Sequence, residues 1–212
     1  MCSSDLRYIK LTVEKGQKIK LSLWADAAGT PIKIVSGAQE QTITVGSTWS
    51  STQDYTTGDG TMTIYGNVQR LNCAKNGKNI TDIDLSHNTQ MTMLYCEENA
   101  LSTLDISKNT KLTRLSCQKN ALTALDVSHN KQLENLSCFS NKLKALDVSS
   151  NEKLVWLNCY DNDFTTASLD DLFCSLPDRE NKSVGKIGLV FNAASPEKDK
   201  VLANLTDRKS VV

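Results

Sequence analysis

Five cysteines, Cys73, Cys96, Cys117, Cys138 and Cys159, follow one another at intervals of 23, 21, 21 and 21 residues, and an asparagine stands three positions after each: Asn76, Asn99, Asn120, Asn141 and Asn162. A pattern returning every ~20 residues confines the chain to stacked supersecondary units, because one such unit is too short to bury its own apolar face and must close it against the next. A solenoid is therefore expected over this stretch. The period also fixes which way each remaining side chain points.

The coil beginning at Leu112 shows the repeat most clearly: Leu112, Leu115, Cys117, Asn120, Leu122, Leu125, Asp126, Val127, Ser128 and Asn130. A step of 21 residues returns Leu133, Leu136, Cys138, Asn141, Leu143, Leu146, Val148 and Asn151, and the preceding coil supplies Met91, Leu94, Cys96, Asn99, Leu101, Leu104, Ile106 and Asn109. The first coil, from Val68 to Asn88, carries two extra residues at Gly77-Lys78; the fifth starts at Leu154 and loses the pattern after Phe164. Leu-x-Cys is an alternating segment, so it predicts a short strand with Leu115 and Cys117 inward and Ser116 outward. Stacked coils then form a parallel sheet with strands about 4.8 Å apart.

The flanks differ. Residues 1–66 predict a β-rich N-terminal capping region, with alternation at Tyr8 to Val13, Ile19 to Leu23, Thr42 to Val45 and Thr61 to Tyr65, and with turn residues at Gly29-Thr30-Pro31 and from Gly46 to Gly60. Residues 67–164 are the solenoid, and 165–212 predict a C-terminal α/β cap. In that cap, a helix capped by Ser168 ends at Pro177, a strand runs from Lys186 to Phe191, a second helix runs from Ser195 to Leu205, and a strand closes at Val211-Val212. A solenoid needs such caps because its open ends are apolar and have unpaired edges.

Lys plus Arg and Asp plus Glu are 24 each, so charge gives no argument for nucleic acid or an anionic membrane. No cofactor is implied. Zinc requires four converging ligands, which a straight column of parallel cysteines does not supply, and parallel Cβ vectors hold neighbouring thiols beyond the usual disulfide separation. The five cysteines therefore read as buried reduced thiols serving as compact apolar residues. The five asparagines read as a second ladder that satisfies backbone groups where each strand turns away. Asp84, Asp105, Asp126 and Asp147 recur as one carboxylate per coil, a row of turn residues and not a cage for a cation. His87 and His129 share a loop position two coils apart, where Lys108 and Ser150 replace them in the other coils, so an enzyme is the least favoured reading.

The run L-x-x-L-x-C-x-x-N-x-L-x-x-L-D-[VI]-S-x-N, with Met in the first place of one coil, is the leucine-rich-repeat pattern with Cys at the third apolar position. Val68 to Asn162 closely resembles the internalin J-like bacterial cell-surface leucine-rich-repeat proteins. That resemblance implies a leucine-rich-repeat solenoid with a short parallel β-sheet, an irregular or short-strand convex side, and an extracellular adhesion or recognition role without catalysis. The chain departs from the family in having no helical N-terminal cap and no cell-wall sorting motif in its last residues. Surface anchoring would then run through Cys2, since Met1-Cys2-Ser3-Ser4-Asp5 resembles the lipidated start of a mature bacterial lipoprotein; an ordinary surface cysteine is the alternative.

The outward strand positions are not dictated by the scaffold, and among them Tyr95, Arg114, Phe139, Trp156 and Tyr160 are the candidate ligand-binding residues. Rigid, partly polar rings suit a protein or carbohydrate ligand. Two readings of the rings remain open, exposure to a ligand or packing beneath the C-terminal cap. A structural spacer within a surface assembly is the alternative to a binding module.

Overall fold

The computed structural model describes residues 7–177 and the backbone of Gly188–Val190. Cys2, the helix predicted from Ser195 to Leu205 and the strand at Val211-Val212 lie outside the described residues.

Six strands precede the repeats: β1 (Tyr8–Val13), β2 (Lys18–Trp24), β3 (Thr30–Ser36), β4 (Gln39–Val45), β5 (Gln53–Thr56) and β6 (Thr61–Tyr65). Alternation builds them, with Ile9, Leu11 and Val13 of β1 buried between exposed Lys10 and Thr12. β3 and β5 fall where turn residues were read. Pro31 is tolerated in β3 because β6 pairs with that strand only over Lys33 to Val35, so the missing N–H interrupts no bond there.

The coils contribute β7 (Arg70–Asn72), β8 (Ile80–Asp84), β9 (Met93–Tyr95), β10 (Arg114–Ser116), β11 (Asn135–Ser137) and β12 (Trp156–Asn158), followed by α1 (Thr166–Ser175) and β13 (Gly188–Val190). β7, β9, β10, β11, β12 and β13 run parallel in one sheet, with Leu71, Leu94, Leu115, Leu136 and Leu157 in a single inward row. That sheet does not stop at the first coil. β2 pairs antiparallel with β7, placing Leu23 beside Leu71, and β5 pairs with β2, which gives eight strands among the described residues. On the opposite side β8 pairs antiparallel with β1, so the first coil also continues a second sheet of order β4-β3-β6-β1-β8. Both sheets run across residue 66 without interruption. One apolar core extends from Ile9 to Phe173.

Within that core the five thiols are buried, with Cys159 the most accessible at 2%. Burial disfavours the thiolate and pushes Cys73, Cys117 and Cys159 up to about 12, with Cys96 and Cys138 raised well above 9 for the same leading reason.

After each strand the chain turns through a left-handed residue two places beyond the cysteine: Lys75, Glu98, Lys119, Ser140 and Asp161, with φ between 50° and 61°. The following asparagine braces the turn. Asn120 Nδ2 donates to Cys117 O (3.0 Å) in its own coil and to Cys96 O (3.0 Å) in the preceding one, while its Oδ1 accepts from Leu101 N (3.0 Å). Asn141 and Asn162 repeat this pattern. Asn76 makes the same bonds to β2, accepting from Lys20 N (2.7 Å) and donating to Lys20 O (3.1 Å), so β2 stands in for the missing earlier coil. Asn99 keeps its two donor bonds, but its Oδ1 has no partner among the described residues. The amide that would donate belongs to the first coil, where the insertion at Gly77-Lys78 shifts the backbone. Asn88, Asn109, Asn130 and Asn151 form another ladder on the far side of the coil; Asn130 Nδ2 donates to Ile106 O (3.0 Å) and Asn109 O (2.9 Å).

A left-handed conformation costs an L-residue ~1–2 kcal/mol, against ~0.5–1 kcal/mol for glycine's lost freedom. Lys119→Gly should therefore stabilise the fold by about 0.5 kcal/mol and Lys119→Val should destabilise it by ~1 kcal/mol or more, both readable from urea denaturation midpoints. The reverse order would mean that the turn is not held left-handed in solution.

α1 begins earlier than its sequence suggests. Thr165 is the N-cap and Ser168 the third helical residue of a reciprocal capping box, Ser168 N donating to Thr165 Oγ1 (3.2 Å) and Thr165 N to Ser168 Oγ (2.9 Å). Leu169, Leu172 and Phe173 bury its apolar face. No helix among the described residues is long and apolar enough to cross a membrane.

Candidate functional site

The outward face of the eight-stranded sheet is set by register. One row across it reads Trp24, Arg70, Met93, Arg114, Asn135 and Trp156; the next reads Ser22, Asn72, Tyr95, Ser116, Ser137 and Asn158. Just beyond the strands, Glu97, Gln118, Phe139 and Tyr160 repeat at 21-residue steps.

Phe139 and Tyr160 are stacked, with ring centroids 4.6 Å apart and an interplanar angle of 12°. Trp156 begins β12, Tyr160 lies two residues past that strand's end, and Trp156 is 44% exposed. Its neighbour on β13 is Gly188, which adds no side chain beside the indole. Arg114 is exposed on β10. Tyr95 is not part of this group. It lies on β9, where Trp49 approaches its ring at 5.9 Å and its hydroxyl reaches Met93 Sδ at 3.9 Å.

Trp49 belongs to the loop between β4 and β5, and that loop is pinned to β2. Ser50 N donates to Leu23 O (3.0 Å), Leu23 N to Ser50 Oγ (2.9 Å) and Ser22 Oγ to Ser50 O (2.6 Å). Trp49 is thereby held over the sheet face while remaining 38% exposed. The Arg70 guanidinium lies 3.9 Å from the centre of the Trp24 ring, a cation–π geometry. Trp24 and Trp49 were not singled out from the sequence. Extending the alternation of Ile19 to Leu23 by one residue puts Trp24 outward, but nothing local signals that β2 joins the repeat sheet.

Four buried polar atoms on this face have no hydrogen-bond partner among the described residues: Arg70 Nε, Glu97 Oε2, Gln118 Oε1 and Asn158 Oδ1. Each has almost no solvent-exposed surface, so a ligand on the face does not reach it as placed, and Asn88, Asn99, Asn109, Asn130 and Asn151 Oδ1 of the scaffold are unpaired in the same way. Desolvation raises the Glu97 carboxyl above the usual carboxylate range.

The opposite side of the coils offers a groove of about 460 Å³, lined by Asp82, Asp84, Leu104, Asp105, Lys108 and Asp126 among others. Three of its carboxylates have local duties. Asp84, Asp105 and Asp126 accept from the backbone N–H of Ser86, Ser107 and Ser128 at 2.8–2.9 Å, and bonds from those serines hold the carboxyls below the usual range. No three His, Cys, Asp or Glu side chains among the described residues are placed to hold a metal ion. His87 stacks on Tyr8 at 4.3 Å, with Nε2 3.3 Å from the Tyr8 hydroxyl and Nδ1 2.9 Å from Ser86 Oγ, which ties the first coil to β1.

No family model and no curated protein matches the chain. Among solved structures it is similar to the functional domain of InlJ from Listeria monocytogenes, which includes a cysteine ladder, at 38% identity and a TM-score of 0.44 over 45% of this chain and 21% of that one. It is also similar to internalin C2 from Listeria monocytogenes, at 20% identity and a TM-score of 0.44 over 53% of this chain and 47% of the other. The chain thus spans about a fifth of the first and just under half of the second. By its own repeat and register, the segment from Val68 to Asn162 is a leucine-rich-repeat solenoid with a cysteine ladder.

Proposed function

We propose that this chain is a non-catalytic binding module, displayed on a bacterial surface or secreted, that recognises a protein or glycan through the outward face of the eight-stranded sheet. The observation that carries this reading is the set of three rings at its C-terminal end. Phe139 and Tyr160 stack on a face that the inward ladder does not need, and the Trp156 indole of that face is 44% exposed. Rings of this kind add contact area at low entropic cost. The likeness of the repeat motif to bacterial surface proteins supports an extracellular setting.

Arrays of secreted proteins and of glycans, probed with the purified chain and with Trp156→Ala/Tyr160→Ala, test the reading. The double variant should lose binding about tenfold or more, equivalent to ~1.4 kcal/mol, with its denaturation midpoint close to the parent's. Equal binding by both proteins would show that the ligand uses another surface.

A further inference from the structure

The aromatic residues of the sheet face lie at both of its ends, and the middle is polar. Trp24, Trp49 and Tyr95 stand at the N-terminal end and Phe139, Trp156 and Tyr160 at the other, with Arg114, Ser116, Gln118, Asn135 and Ser137 between them. A typical protein interface is arranged the other way, with an apolar centre and a polar rim. The charged groups on this face, Arg70, Arg114 and Lys20 against Glu97 and Asp54, nearly balance, which gives no steering toward a strongly acidic or basic partner.

The exposed groups of the floor narrow the chemistry. Arg114 donates hydrogen bonds, and the Ser116 and Ser137 hydroxyls and the Asn135 amide both donate and accept, all of them at least partly exposed between the two sets of rings. A hydroxyl group can answer both kinds, since it is a donor and an acceptor at once. A ligand bearing many hydroxyls with apolar ring faces at intervals would satisfy these groups and stack on the aromatic residues.

Resting on the reading of the sheet face as the binding surface, we infer that its occupant is a neutral oligosaccharide gripped at both ends, and that Trp24 and Trp49 from the region before the repeats build the second aromatic subsite with Arg70 and Tyr95. Trp24 and Trp156 occupy the same row five strand intervals apart, so the occupied length is about 24 Å.

The test is an array of neutral linear oligosaccharides graded in length from disaccharides upward, printed beside extended peptides of matching length, and probed with the parent chain, Trp49→Ala and Trp156→Ala. Trp49 lies in a loop and is partly exposed, so its removal should leave the fold intact, which a thermal melt checks. Binding should rise steeply once the sugar chain reaches about 24 Å. Trp49→Ala should then bind long chains about tenfold more weakly while matching the parent on short ones. If Trp156→Ala loses binding and Trp49→Ala does not, the second subsite is wrong and the broader reading stands. If oligosaccharides bind and neither variant differs from the parent, the sheet face itself is wrong. Binding to peptides alone, or to no oligosaccharide, overturns the sugar assignment.

Discussion

Raising the pH above about 9 should unfold this protein over a narrow range, because five thiols that ionise freely in the unfolded chain are held neutral in the folded one. The folded values are about 12 for Cys73, Cys117 and Cys159 and well above 9 for Cys96 and Cys138, all through burial. The sign follows from proton counts. Above pH ~9 the unfolded chain has released protons that the folded chain retains, so unfolding becomes easier as pH rises toward about 12. Each thiol contributes roughly 1.4 kcal/mol per pH unit in that window, and five together about 7 kcal/mol per unit. Against a typical total of ~5–15 kcal/mol, unfolding should be complete near pH 10–11. Circular dichroism across pH 8–12, in reductant, reads the transition. Cys117→Ala should be less stable at neutral pH yet show a slope shallower by about one fifth. An unchanged slope would mean that the buried thiols do not govern the alkaline limb.

The asparagine ladder yields the second large effect, and its size depends on neighbours. Cys117 O accepts from both Asn120 Nδ2 (3.0 Å) and Asn141 Nδ2 (3.1 Å), and Cys138 O from both Asn141 (3.0 Å) and Asn162 (3.1 Å). Removing Asn141 alone leaves each carbonyl one donor and orphans only Leu122 N, so Asn141→Ala should cost about 2–3 kcal/mol. Removing Asn120 and Asn141 together strips Cys117 O of both side-chain donors and orphans Leu101 N as well as Leu122 N. The pair should therefore exceed the sum of the singles by ~1–2 kcal/mol. Asn99 and Asn141 share no carbonyl, and their double variant should be additive within ~0.5 kcal/mol. Equal behaviour of the two pairs in urea denaturation would sink the shared-acceptor explanation.

The parts of this fold that follow from periodicity were readable in the chain. Leu115 and Cys117 are buried where a strand period of two puts them, and the same step carries through every coil. The junction was not readable, because the pairings of β2 with β7 and of β1 with β8 join residues far apart in sequence and have no local signature. β3 and β5 escaped notice for a different reason: Pro31 and the polar run around Gln53 resemble turn chemistry and become strands only because neighbouring strands pair with them. The candidate site divides along the same line. Phe139, Trp156 and Tyr160 stand out at fixed offsets from the cysteines, whereas Trp24 and Trp49 join that face only through the long-range pairing. Ser168 was read as a cap because it precedes the apolar residues; Thr165 takes the role since its hydroxyl reaches the Ser168 amide.

The most direct measurement is hydroxyl-radical footprinting of the chain bound to a ligand recovered from the arrays. Protection should concentrate on Phe139, Trp156 and Tyr160, with Lys108, Thr103 and Thr123 of the opposite groove as reactive as in the free protein. Protection of Thr103, Thr123 and Lys108, with the three rings unchanged, would place recognition on the other side of the coils and contradict the sheet face as the binding surface.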